Sequence, residues 1–287
     1  LADTRHLVTF RYREGDMSNQ FTEAMLLFAM DAVTGGIRWR YQPEHSIRHN
    51  AIAIGDGRVH LIDRPIASGD RHREKRVGKP DPEDVHPPGK LVALDAKEGR
   101  TLWSSDDQVY GTTLALSEEH DLLLMCYQDW RFKLASELGG RMAAFDSATG
   151  ERRWDVEAGY QGRPVINGRA VYLQPGAWDL ATGKRLDFAL ERSYGCGILS
   201  GCTNMLVYRS AVVGYVDLQS QLGTQNYGGI RPGCWINAVP AGGLVLMPDA
   251  TDRCTCSYLN KASIALAPIG PRPAKVAAAG DRGGAGR

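Results

Sequence analysis

Four cysteines in the last third of the sequence, Cys196, Cys234, Cys254 and Cys256, carry its most reactive side chains. Four thiolates can hold tetrahedral Zn²⁺ or an iron centre. The spacing has no paired C-x-x-C knuckles, however, and one C-x-C pair with two distant partners suits two disulfides equally well. Disulfides are the preferred reading, and a metal or haem site held by thiolates is the alternative. A second group is polar and cationic: Arg48, His49 and Asn50 in the stretch "SIRHNA", together with Arg209 and Arg231. Two or three guanidinium groups brought to one place would take a carboxylate, sulfate or phosphate through paired hydrogen bonds, and arginines that brace backbone carbonyls are the competing role. No serine-hydrolase elbow, Walker loop or zinc-protease helix motif occurs. No catalytic residue is assigned.

The bulk numbers narrow the class. The 287 residues carry 34 Lys and Arg against 33 Asp and Glu, a formal net charge of +1. Such a balance gives no field to gather nucleic acid or an anionic membrane. No run approaches the roughly 20 apolar residues of a membrane-spanning helix. The six cysteines are even in number and cluster late, which favours an oxidising, extracytoplasmic setting, either periplasmic or secreted. The chain opens at Leu1 without the basic and apolar regions of a secretion signal, so the natural start is expected to be processed away or missing.

What must position these groups is a repeat. "DAVTGGIRW" at 31–39 returns as "DAKEGRTLW" at 95–103 and as "DSATGERRW" at 146–154. Each copy follows an apolar run, "AMLLFAM", "KLVAL" or "GRMAAF", so each marks a hairpin. Asp31, Asp95 and Asp146 are placed to bond backbone N–H groups of the turn, and Gly35, Gly99 and Gly150 to take the positive φ that other residues resist. A fourth copy keeps Asp179 and Gly183 but has Asp187 at the tryptophan position, with Phe188 beside it. Such repeats cannot bury both faces alone. Arranged radially as four-stranded blades they can, with Trp39, Trp103 and Trp154 stacking between neighbouring blades.

The pattern D-x-x-T-G-x-x-x-W after an apolar strand resembles the PQQ-like repeat of quinoprotein dehydrogenases and of the propeller lipoprotein of bacterial outer-membrane assembly. Thr34, Thr149 and Thr182 match the family threonine, and Glu98 departs from it. The stretches "YGCG", "YRS", "RPGCW" and "CTCSY" further resemble the C-terminal part of bacterial PQQ-like propellers of undefined activity. The resemblance implies an all-β propeller over residues 1–268 with five to six blades visible, as part of a ring of seven or eight. The first blade, with strands "HLVTFRY", "EAMLLFAM" and "GIRWRY", lacks its inner strand, and the last lacks its outer one. Residues 269–287 have no apolar period and read as a disordered tail. For a quinoprotein the resemblance also implies PQQ with Ca²⁺, and Trp235 is the one candidate stacking platform; no Ca²⁺ ligands can be assigned.

In such a ring the turns from third to outer strand share one face, and the loops from second to third strand lie on the other. That opposite face would gather the four cysteines and the long insertion at 63–90, with His72 and His86 within it. The leading expectation is a scaffold or binding module that docks a protein or an anionic ligand such as a glycan. A PQQ-dependent oxidoreductase is the alternative.

Overall fold

The structure is a computed structural model that describes residues 2–5, 23–65, 87–127, 139–195, 197–220, 222–233, 238–248 and 262–268. Among these residues there is no helix, and successive antiparallel hairpins build six blades. Strands within a blade are called inner, second, third and outer. Blade one holds β1 (Ala2–Arg5), β2 (Glu23–Met30) and β3 (Ile37–Tyr41). Blade two holds β4 (Ile47–Gly55), β5 (Arg58–Asp63), β6 (Gly89–Asp95) and β7 (Thr101–Val109). Blade three holds β8 (Thr113–Ser117), β9 (Leu122–Cys126), β10 (Arg141–Asp146) and β11 (Arg152–Glu157), and blade four β12 (Gln161–Asn167), β13 (Ala170–Gln174), β14 (Gly176–Asp179) and β15 (Arg185–Ala189). Blade five holds β16 (Ser200–Cys202), β17 (Met205–Ser210), β18 (Val212–Asp217) and β19 (Thr224–Tyr227); blade six holds β20 (Val239–Ala241), β21 (Leu244–Met247) and β22 (Ile264–Leu266).

The inner strands line a common axis, since β4 touches β8, β8 touches β12, β12 touches β16 and β16 touches β20. The protein is thus an all-β propeller. Its apolar residues fall into five clusters, one between each successive pair of blades. A blade is therefore covered on both faces, which is why β9, "LLLMC", is buried at every position instead of alternating. Outer strands close only one side of the stack: β15 is exposed or half-buried along its length. The gradient from buried second and third strands to exposed outer strands is what the sequence shows as apolar runs followed by charged segments.

Two features differ from expectation. The first strand of blade one is Ala2–Arg5, pairing Ala2 with Leu27 and Arg5 with Glu23, instead of the more strand-like "HLVTFRY", which lies outside the described residues. Pairing follows backbone register, and β-propensity alone does not fix it. Second, blades one and two share one continuous sheet, because Glu23 and Ala24 of β2 pair with Arg48 and Ile47 of β4.

The repeated motif forms the turn between third and outer strands. In blade three Asp146 Oδ1 accepts the N–H of Ala148 (3.0 Å), the N–H of Thr149 (2.9 Å) and the Thr149 hydroxyl (3.0 Å), and Gly150 sits at φ 77°. Asp31 repeats this with Val33 and Thr34. The Arg38 guanidinium beside it, with those N–H groups, holds its carboxyl far below the usual range. Glu98 has no hydroxyl to add, and Asp95 caps the turn through the N–H groups of Lys97 and Glu98 alone.

Each tryptophan reaches across to the turn of the next blade. Trp39 Nε1 donates to the Ala96 carbonyl (3.0 Å), Trp103 Nε1 to Ser147 O (3.2 Å) and Trp154 Nε1 to Leu180 O (2.9 Å). The ring plane lies on the turn glycine. A Cβ at Gly99, Gly150 or Gly183 would fall 2.5, 2.5 or 2.7 Å from the indole, so glycine is required there twice, by conformation and by contact.

Candidate functional site

In a four-stranded meander the second-to-third and outer-to-inner connections share one face. In sequence, residues 6–22, 66–86, 128–138 and 249–261 come between second and third strands and are outside the described residues, whereas the described turns between inner and second and between third and outer strands are short. The strand ends that carry these connections are fixed by side chains. Asp63, buried at the end of β5, accepts the N–H groups of Glu44 (2.6 Å) and His45 (2.9 Å) and so fastens the connection into blade two. Arg64 Nη1 donates to the Tyr110 carbonyl (2.8 Å), joining blade two to blade three.

Further round the axis, Arg141 grips Asp155 with two hydrogen bonds of 2.7 and 2.5 Å and lies over the Tyr110 ring at 5.8 Å. Tyr160 donates to the Arg141 carbonyl (2.7 Å) and accepts the Tyr127 N–H (2.8 Å). Burial pushes the Tyr127 phenol up to about 12, against the opposing pull of Arg64 and Arg141. In the next junction Arg192 donates to the carbonyls of Arg209 (2.6 Å) and Gly197 (3.1 Å), while Arg209 lies over the Tyr194 ring at 5.7 Å. The face is a lattice of arginines on carbonyls, carboxylates and tyrosine rings, and charge-assisted bonds of this kind fix geometry.

The predicted anion-binding residues divide. Arg48, Arg209 and Arg231 are all buried, and each interacts with other groups of the protein. Asn50 instead lines an axial cavity of about 230 Å³ between β4, β8 and β12, with Thr113 and Arg163. The side chain of His49 is not among those described. Arg64, Arg141, Arg192, Tyr110 and Tyr160 are organising residues that sequence reasoning missed. The available signal was an Arg or Tyr at a strand end facing that side, as in the noted "YRS".

Cys196, Cys234, Cys254 and Cys256, and with them Trp235, His72 and His86, lie outside the described residues, as does the tail 269–287. Of the other cysteines, Cys126 is buried, with its thiol pushed up to about 12 by burial, and Cys202 is exposed; both are free. Among the described residues no three His, Cys, Asp or Glu side chains cluster to hold a metal ion. The axial cavity is lined by an amide, a hydroxyl and a guanidinium, a set that does not fit Ca²⁺ beside a quinone. No redox step is derived for this chain.

Two further cavities lie between blades. One of about 290 Å³ separates blade four from blade five, and an apolar cleft of about 790 Å³, lined by Met205, Val213, Tyr227 and Val245 among others, separates blade five from blade six.

Radial four-stranded sheets, joined by an Asp–Thr–Gly turn and an indole that locks onto the next turn, define a β-propeller of PQQ-type repeats. Residues 12–127 and 86–186 match the family described as outer membrane protein assembly factor BamB, together more than half of the chain. The chain belongs to that family. It is similar to the crystal structure of BamB from Moraxella catarrhalis, with 19% identity over 80% of this chain and 67% of that one and a TM-score of 0.48. It also resembles the computationally designed Ika4 protein (17% identity, 61% and 92% coverage, TM-score 0.40) and the WD40 domain of Neurospora crassa Pan2 (8% identity, 87% and 76% coverage, TM-score 0.47). No curated protein matches the chain significantly.

Proposed function

We propose that this propeller is a protein-docking scaffold that works outside the cytoplasm in bacterial envelope assembly, and that its docking face is the one carrying the long connections. The observation that carries this reading is the asymmetry of the described residues: short, capped turns at one end of the blades and, at the other, strand ends braced by Arg64, Arg141 and Arg192, between which the sequence has its longest insertions. Variable loops on a rigid scaffold are the usual means by which a propeller recognises a partner. Membership in a family described by outer-membrane assembly supports the setting. The cysteines Cys196, Cys234, Cys254 and Cys256 fall in connections of this same face by their place in the sequence. Disulfides among them would tie those connections together.

The test replaces residues 66–86, and separately 128–138, with short Gly-Ser links in the native host. Cross-linked partners recovered with the parent protein should be lost while the unfolding midpoint stays unchanged. Full partner recovery from both variants would overturn the reading. Mass spectrometry without reduction tests the staples, and four free thiols would remove them.

A second reading, a small anionic ligand such as an acidic sugar on the axis, is favoured by one observation, the Asn50, Thr113 and Arg163 cavity. Titration with glucuronate and phosphate, compared between the parent and Asn50→Leu, tests it. Equal affinities for the two proteins would exclude the axis.

A further inference from the structure

The junction between blades four and five keeps part of the walls of an indole site and has no indole. At the junction of blades two and three, Trp103 lies against His60 (centroids 5.8 Å apart), beside Ala93, on Gly150, with its N–H on Ser147 O. His60 pairs with Ala93 across the hairpin. In blade four the equivalent pair is Tyr172 and Ala177, two residues before the turn aspartate as Ala93 is. Blade five supplies two further walls: Leu218, the residue after its turn aspartate, as Ser147 is, and Gly223, six residues after Asp217 where Gly150 is four after Asp146, at φ 73° with open space where a Cβ would be.

The tryptophan position holds Asp187, which is exposed. A register shift between Gly176 and Trp178 instead turns Phe188 onto Tyr172 at 5.0 Å. Phe188 is smaller than an indole and has no donor. Among the described residues nothing donates to Leu218 O, and a cavity of about 290 Å³ remains, bounded by Tyr172, Ala177, Asp187, Phe188, Leu218 and Gly223. That is at the lower limit of small-molecule pockets, which run roughly 300–1,000 Å³, and suits a single fused ring.

We infer that this notch binds the indole of a tryptophan presented by a partner polypeptide. Three junctions of the same chain show which side chain this geometry accepts. A polypeptide source is favoured over free indole because β15, whose residues form the mouth, is the edge strand of its sheet and offers an unpaired backbone to an extended segment. The site lies on the short-turn side of the ring, so it stands or falls apart from the long-connection face.

The experiment follows the ¹⁹F resonance of a blocked Gly-(5-fluoro-Trp)-Gly peptide, with 5-fluoroindole as the second arm. The peptide line should broaden and shift with the parent protein, at least tenfold more tightly than 5-fluoroindole. Phe188→Trp, which puts the chain's own indole at the position the register shift turns onto Tyr172, should abolish the effect. Saturation transfer from the peptide to the methyl groups of Leu218 and Val216 maps the site without any substitution. No effect at millimolar protein, no transfer to those methyls, or undiminished binding by a folded Phe188→Trp would overturn the site. Equal affinity for 5-fluoroindole would overturn the polypeptide source.

Discussion

Four glycines occupy the same turn position, four residues after the turn aspartate, at nearly the same φ: 72° at Gly35, 75° at Gly99, 77° at Gly150 and 70° at Gly183; a fifth, Gly223, lies six residues after Asp217 in the turn of blade five and takes φ 73°. Only three of them carry an indole. Gly→Ala at all five imposes the same left-handed strain, about 1–2 kcal/mol, less about 0.4–1 kcal/mol recovered from the stiffer unfolded chain. Gly35 and Gly223, where an added Cβ meets nothing within 4 Å, should therefore lose about 1 kcal/mol. At Gly99, Gly150 and Gly183 the Cβ falls 2.5–2.7 Å from an indole that its own hydrogen bond holds in place. Overpacking adds about 1–3 kcal/mol there, for a total of about 2–4 kcal/mol. In urea, with a slope of about 2–3 kcal/mol per molar, the two groups should separate by about 1 M in midpoint at unchanged slope. Placing Gly150→Ala in a Trp103→Ala background should bring its loss back to about 1 kcal/mol, because the two residues share one contact. Five equal losses, or no coupling between Trp103 and Gly150, would refute the interlocking mechanism.

His60 is fully buried, its Nε2 meets the Ser147 carbonyl at 2.9 Å, and burial lowers its pKa from 6.5. The unfolded chain then binds the proton more readily than the native one, so stability is full above pH 6.5 and falls as pH drops from there toward the folded pKa. Urea midpoints between pH 7.5 and 5 should decline less for His60→Gln than for the parent, and parallel declines would contradict this. Cys202 should react with iodoacetamide in the native protein, whereas Cys126, buried and with its thiol raised to about 12, should react only after unfolding; peptide mapping of the alkylated sites checks both. Phe188→Trp should raise the melting temperature by placing a fourth indole against Tyr172 within reach of Leu218 O, and an unchanged or lower value would show that Phe188 already completes that junction.

The blade order was legible because one turn imposes residue types that no other structure requires. Asp146 must cap two N–H groups, Gly150 must take positive φ beneath a ring, and Trp154 must find a carbonyl one blade away. Burial on both faces made β9 and β10 read as unbroken apolar runs. The register shift that brings Phe188 inward was not legible, because a one-residue slip leaves composition untouched. The Arg–Tyr lattice was equally hidden: Arg141 finds Tyr110 and Tyr160 only once three connections are brought together. The buried state of Arg209 could not be read from "YRS", since the same triplet on an outer strand would be exposed.

The junctions also differ in a way that bears on where a partner could engage the ring. In a stacked array stability is close to a sum of terms between neighbours, so each blade boundary can be strengthened or loosened by itself. Blades one to four are joined by three indoles, each with its own hydrogen bond. At the next boundary the lock is a phenyl group beside a cavity. At the last, Gln225 takes the register place of the tryptophan, opposite Tyr215, while Tyr227 pairs with Val213 and borders the 790 Å³ cleft half-exposed. One repeat thus builds a closed arc and, two blades further on, an open one. Apolar surface of that extent, uncovered among the described residues and framed by strands whose positions the closed arc has already fixed, is where an added chain gains burial without rearranging the fold.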